Sequence, residues 1–217
     1  MKGLIIHCEA PYFVTFRKPA TTSLILTFPV PPFTTIRGMI ANALGQLQHD
    51  HSLQEQIKIS LRILEPGFTN VEMAKILKLK SSPGPPRRKY PSSPMFKEYI
   101  VNPEYEFFVA GKRDIMQQIY TALLFPKRPL YLGQSDDLVV HKTSELLDVN
   151  ETEVEEFDSA VEGIHEGCVV EKVPYAFIES NGRYSVEYKL ISVPSGQNRV
   201  KIQRIGYVFN GLNVFLF

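Results

Sequence analysis

Residues 27–45 read Thr27-Phe28-Pro29-Val30-Pro31-Pro32-Phe33-Thr34-Thr35-Ile36-Arg37-Gly38-Met39-Ile40-Ala41-Asn42-Ala43-Leu44-Gly45. The prolines hold the first part extended and end the β-prone run 21–28, with its Leu24, Ile25, Leu26 and Phe28. A helix follows. Thr34 or Thr35 is the expected N-cap. Ile36, Met39, Ile40, Ala43, Leu44 and Leu47 then fall at i, i+3, i+4, i+7, i+8 and i+11, which is one helical face. Gly45 weakens the helix end.

Outward from that helix, the order of elements sets the fold class. Residues 1–9 read as a buried strand (Leu4, Ile5, Ile6). Residues 57–64 alternate as a strand through Ile57, Ile59, Leu61 and Ile63. Residues 105–109 form another strand. Asp114 opens a second helix with Ile115, Ile119, Ala122 and Leu123 on one face, ended by Pro126 and Pro129. A short strand at 138–141 completes the series strand, helix, strand, strand, helix, strand. That is a ferredoxin-like (RRM-like) βαββαβ unit. The expected class is α+β, with the unit over residues 1–143. Residues 67–103 are an insertion between its second and third strands. Residues 144–217 form an acidic connector and a smaller β-rich region, where Tyr184, Val186, Tyr188 and Leu190 alternate with polar residues.

The 217 residues are 44% hydrophobic and 22% charged, with a net charge of +1 and two cysteines. Two thiols are too few for a disulfide framework or a cysteine zinc site. Neither a secretory signal nor a membrane span is expected, and the cytoplasm is the expected compartment. Charge is segregated along the chain. Residues 75–97 hold seven Lys/Arg and no acid; residues 145–171 hold ten Asp/Glu and no Lys/Arg. Two readings of the acidic run stand side by side: a face for a basic partner, or solvated loops.

Within 67–103, a β-prone piece at 75–80 runs into Ser81-Ser82-Pro83-Gly84-Pro85-Pro86-Arg87-Arg88-Lys89-Tyr90-Pro91, and residues 99–101 read as the returning arm. The insertion reads as a long, exposed, basic hairpin. Arg87, Arg88, Lys89 and Lys97 are combined with Tyr90, Phe96 and Tyr99. Cations neutralise phosphates while aromatic rings stack unpaired bases, so the mixture suits single-stranded RNA better than it suits a plain linker. The helix start at Arg37 has the makings of a phosphate seat, because its free N–H groups and the guanidinium fork converge there. A capped core helix with one surface arginine is the competing and preferred reading of that feature taken alone. Gly133, in Tyr131-Leu132-Gly133-Gln134-Ser135-Asp136-Asp137, permits a close backbone approach, and the two aspartates read as part of a solvated turn. His141-Lys142 with a tyrosine is the set from which a metal-independent ribonuclease would be built. Isolated histidines are more often structural, and that reading is preferred. No P-loop, dinucleotide fingerprint, HExxH or GxSxG is present, and no cofactor or metal is expected.

Phe16-Arg17-Lys18-Pro19, the stretch 28–45 and Tyr131-Leu132-Gly133-Gln134-Ser135-Asp136 together resemble the motifs of the Cas-five family, CRISPR-associated RAMP proteins of type I systems. The resemblance implies a ferredoxin-like RAMP domain with a thumb hairpin at 67–103, and a subunit of the Cascade surveillance complex. Its partners would be CRISPR RNA, gripped at the 5′ handle, a backbone subunit of the Cas-seven type and a large subunit of the Cas-eight type, with target DNA met indirectly. Carried over by motif, Arg17, Lys18, Arg37, Gly38, Gly133, Gln134 and Ser135 would sit near the handle. Most members of the family do not cleave RNA; one subtype does, with a Tyr, Lys and His group. The readings that follow are, in order, a non-catalytic handle-binding subunit, a processing endoribonuclease using His141 and Lys142, and a protein scaffold with little RNA contact.

Overall fold

The computed structural model describes residues 1–19, 24–77 and 92–217. The chain enters through β1 (Lys2–Glu9), whose Leu4, Ile6 and Cys8 are fully buried on one side. Two short strands, β2 (Phe13–Val14) and β3 (Leu24–Ile25), precede α1 (Phe33–Leu44). The helix begins where the prolines run out. Pro32 occupies the cap position, and its carbonyl accepts the N–H groups of Thr35 and Ile36. Neither threonine is therefore the N-cap; both lie in the first turn, and no side chain caps it. Gly45 ends the helix in the left-handed region at φ 73°, where glycine carries no Cβ penalty. Ile36, Met39, Ile40 and Ala43 are buried as their spacing requires, whereas Leu47 lies past the end and is exposed.

A single turn, α2 (Leu53–Gln56), leads into β4 (Ile57–Glu65). The insertion is a hairpin of β5 (Phe68–Leu77) and β6 (Ser92–Val101), paired antiparallel from Phe68↔Val101 to Leu77↔Ser92. Its arms are longer than residues 75–80 and 99–101. The root is anchored by β2, antiparallel to β6, and by β3, parallel to it. Next come β7 (Glu104–Gly111), α3 (Arg113–Leu124), β8 (Val140–Thr143) and β9 (Leu147–Asp148). The remainder is β10 (Asn150–Phe157), β11 (Val161–Glu162), β12 (Val169–Ser180), β13 (Arg183–Val193), β14 (Val200–Phe209) and β15 (Leu212–Val214).

The fold is mixed α+β and mostly β. Its central sheet has the order β4-β7-β1-β8, with β9 also on β1 and every pairing antiparallel. Both faces are covered. Phe107 and Val109 join the cluster that holds Ile36, Ile40, Met116 and Ile119 of the two helices. Phe108 and Ala110 point the other way, into a cluster with Tyr207, Phe209 and Val214. Burial on both sides is why β7 reads as a continuous apolar run rather than an alternating one. The outer edge of β4 is closed by distant chain: Ile59 and Phe217 exchange N–H···O bonds of 3.2 and 3.0 Å, and the Ala160 N–H donates to the Leu61 carbonyl at 2.7 Å.

Much of the acidic run is strand rather than loop. In β10, Val154 and Phe157 turn inward and the glutamates turn outward. Several of the acids are used within the molecule. Asp158 is buried, accepting from Arg199 Nε at 2.7 Å and from the Asn213 N–H at 2.8 Å. Glu171 pairs with Lys18 at 2.7 Å. No helix among the described residues is long and apolar enough to cross a membrane.

Candidate functional site

Two pockets flank the first turns of α1, and Thr34 lines both. The smaller, about 220 Å³, lies between the Phe16–Arg17 backbone, the helix start and the turn after α3; Arg17, Thr34, Thr35, Gly133 and Gln134 border it. The 16–18 segment is held in place by backbone pairing with 26–28: Lys18 N–H to the Leu26 carbonyl and Phe28 N–H to the Phe16 carbonyl, each 2.8 Å. Arg17 is exposed at this rim. Lys18 is committed elsewhere, to Glu171 and to the face of Phe28, 5.0 Å from its ring centre.

The 131–137 turn is built around a buried carboxylate. Asp137 Oδ2 accepts the N–H groups of Thr15 and Gln134, both at 2.9 Å, and the residue is wholly inaccessible. Only Asp136 is solvated; for Asp137 the expectation of a solvated turn fails, because the turn folds back over β2. Burial raises the Asp137 carboxyl above its ordinary value; the two N–H donors and nearby Lys97 oppose that shift. Gly133 has φ 114°, and a Cβ there would come within 2.7 Å of both Asp137 Oδ2 and the Thr15 carbonyl oxygen. The close approach that this glycine permits is thus to its own chain. Ser135 is exposed on the turn. Lys97 is buried at the hairpin root, 3.4 Å from Gln134 Oε1 and 5.4 Å from the Phe13 ring centre, so it ties the hairpin to the turn. Arg87, Arg88, Lys89 and Tyr90 lie outside the described residues.

The larger pocket, about 490 Å³, opens on the adjacent side of α1 and contains Arg37 and Gly38. Gly38 is exposed, and a Cβ on it would meet nothing within 4 Å, which leaves the helix backbone open to an incoming group. Arg37 is not the surface residue of the preferred reading. It is 6% exposed, with its guanidinium carbon 4.9 Å from the Tyr175 ring centre and Nη1 donating to the Tyr175 carbonyl. Its Nε and Nη2 have no hydrogen-bond partner. Burial lowers its affinity for the proton, and Tyr175 works against that change. Tyr175 belongs to β12, so a strand far along the chain turns the expected seat of donors into a pocket wall.

Residues not singled out from the sequence complete this pocket. Arg128 donates to the carbonyls of Gln46 (2.9 Å) and Gly45 (3.4 Å), satisfying the end of α1. His51 stacks on Phe177 at 4.3 Å and stands edge-on to Tyr184 at 5.2 Å. Gln54 fixes Phe177 by accepting its N–H at 3.0 Å and donating to its carbonyl at 2.9 Å. Arg128 follows α3 in sequence but serves the end of α1, so no local spacing marks it. His49 and His51 sit in the loop between α1 and α2, so no helical spacing governs their placement.

His141 and Lys142 are successive residues of β8 and so point to opposite faces. His141 Nε2 lies 2.9 Å from the Leu123 carbonyl oxygen, half-buried against α3, and Lys142 is exposed.

Residues 3–204 match the family model described as CRISPR-associated protein (Cas_Cas5). No curated protein sequence matches the chain. Among solved structures, the chain is similar to one from a CRISPR RNA-guided surveillance complex, with a TM-score of 0.59 at 14% identity, over 93% of this chain and 91% of that one. It is also similar to a CRISPR protein from Archaeoglobus fulgidus, with a TM-score of 0.55 at 13% identity, over 99% and 98%. A third similar structure is of a Cas protein, with a TM-score of 0.53 at 16% identity, over 90% and 100%. At these identities the likeness is one of fold.

Proposed function

The chain belongs to the Cas-five family of CRISPR-associated proteins, and from that premise we propose that it is a non-catalytic, RNA-binding subunit of a type I Cascade surveillance complex in antiviral defence. It binds the 5′ handle of CRISPR RNA and caps the backbone filament beside the large subunit. The observation that carries this reading is the convergence of Arg17, Gln134, Thr34 and Thr35 on one cleft at the start of α1, at the foot of a hairpin whose sequence is basic. A helix start offers N–H donors to phosphate, and an exposed arginine adds a forked cation. The all-antiparallel order β4-β7-β1-β8 with α1 and α3 supports a ferredoxin-like unit over residues 1–143, with 144–217 as the smaller region. The tie of His141 to the Leu123 carbonyl, with Lys142 on the opposite face, supports binding over cleavage.

The test is co-expression with a repeat-spacer transcript and the neighbouring subunits, followed by sequencing of the RNA in the purified assembly. A guide with a uniform 5′ handle is expected. It should be depleted at least about tenfold when Arg17 and Gln134 are both changed to alanine, or when residues 81–91 are replaced by a short Gly-Ser turn. Cleavage of precursor by the chain alone without metal would make it a nuclease. Undiminished RNA in both variants would make it a scaffold.

A further inference from the structure

A third groove, of about 730 Å³, lies between the loop that joins α1 to α2, α2 itself and the β12–β13 hairpin. Its wall is aromatic. His51 stacks on Phe177 and stands edge-on to Tyr184, while His49 and Tyr184 hold their rings nearly parallel, 14° apart in plane with centres 6.5 Å apart. His49 and Tyr184 are exposed, so ring surface is open to an occupant. The rim is acidic. Asp50, Glu55, Glu179 and Glu187 line the groove, all four exposed, and no lysine or arginine among the described residues lines it. Asp50 accepts the Ser52 N–H at 3.0 Å, and Glu179 accepts the Tyr184 hydroxyl at 3.3 Å. Among the described residues, none of the four pairs with a lysine or arginine, unlike Asp148, Glu171, Glu106, Glu162, Glu156 and Asp158.

One kind of group answers both features. A guanidinium is planar and weakly hydrated, stacks on aromatic faces, and offers forked donors to carboxylates. A nucleic-acid base also suits the rings, but its phosphates would bring negative charge to a negative rim. An apolar segment would cover the rings and leave four carboxylates unanswered. We infer that this groove docks a partner protein through an arginine, which stacks on the ring cluster of His49, His51 and Tyr184 and pairs with the acidic rim. The inference goes beyond RNA binding and does not rest on it. It gives the two sides of the His49–His51 loop different tasks, because the groove shares His51, Gln54 and Phe177 with the Arg37 pocket.

The experiment follows the fluorescence anisotropy of a labelled glycine-serine peptide carrying two arginines, titrated with the full chain. The affinity should fall at least about tenfold when citrulline, the uncharged isostere, replaces both arginines. Tyr184→Ala, and Glu179→Gln combined with Glu187→Gln, should each weaken binding of the arginine peptide to a similar degree. Glu145→Gln combined with Glu166→Gln, at exposed carboxylates outside the groove, should leave it unchanged. If Tyr184→Ala does not fold, the glutamine pair within the groove decides the question. No binding of the arginine peptide, equal binding of the citrulline peptide, or groove variants that bind no worse than the control pair overturns the inference. A labelled uridine octamer whose own affinity falls about tenfold with Tyr184→Ala overturns it as well and gives the groove to RNA.

Discussion

Asp137 holds the 131–137 turn to Thr15 through one carboxylate oxygen, and its other oxygen is buried without a partner. Its ionisation is therefore tied to folding. A carboxyl whose affinity for the proton is raised by folding favours the folded state fully below the ordinary value of 3.8, and loses that contribution as pH rises through the folded value. Asp137→Asn removes this contribution. Melting temperatures of both proteins from about pH 4 to about pH 7 should therefore move in favour of the variant as pH rises. Movement in favour of the unmodified protein would mean that its hydrogen bonds outweigh burial and that the carboxylate is stabilised on folding. Spacing in the sequence marks Asp136 and Asp137 alike as polar turn residues. Which of the two turns inward is set by the approach of Thr15, more than a hundred residues earlier, and no local pattern carries that information.

Among the elements, those fixed by their own periodicity were legible and those fixed by contact were not. The stripe Ile36, Met39, Ile40 and Ala43 specifies the buried face of α1, and the structure buries all four. Its start carries no such mark, because Pro32 supplies the cap through its carbonyl, a backbone role with no side-chain signature. The hairpin arms extend beyond their expected lengths without a sequence signal, because Val71, Met73 and Phe96 are exposed and their side chains do not alternate about a core. Arg37 falls on the buried face only because β12 lies over α1, so its place in a pocket followed from no spacing. The hold on β12 is specific: Gln54 presents one donor and one acceptor to Phe177, as a neighbouring strand would. Gln54→Ala removes both bonds. It should cost about 1 to 3 kcal/mol of stability in denaturant unfolding and speed amide exchange at Phe177. An unchanged exchange rate would place the anchor in the His51 stack instead.

The whole molecule is arranged around one antiparallel sheet covered on both faces, with distant chain closing the β4 edge. The basic sequence lies in the β5–β6 insertion, and the outward glutamates lie on β10. Among the described residues, β10 pairs only with β14, so its far side is an open row of backbone donors and acceptors. Glu151, Glu153 and Glu155 are exposed along it. Charged side chains on such a strand keep two copies from zipping together. The acidic run thus bears on colloidal behaviour. At neutral pH these negative charges repel a second copy. Light scattering of the purified protein at neutral pH should rise when all three glutamates are changed to glutamine. A glutamine variant that stays monodisperse would put the protection of that edge elsewhere. On this view a strand outside the proposed RNA contacts governs whether the protein can be concentrated, stored and crystallised.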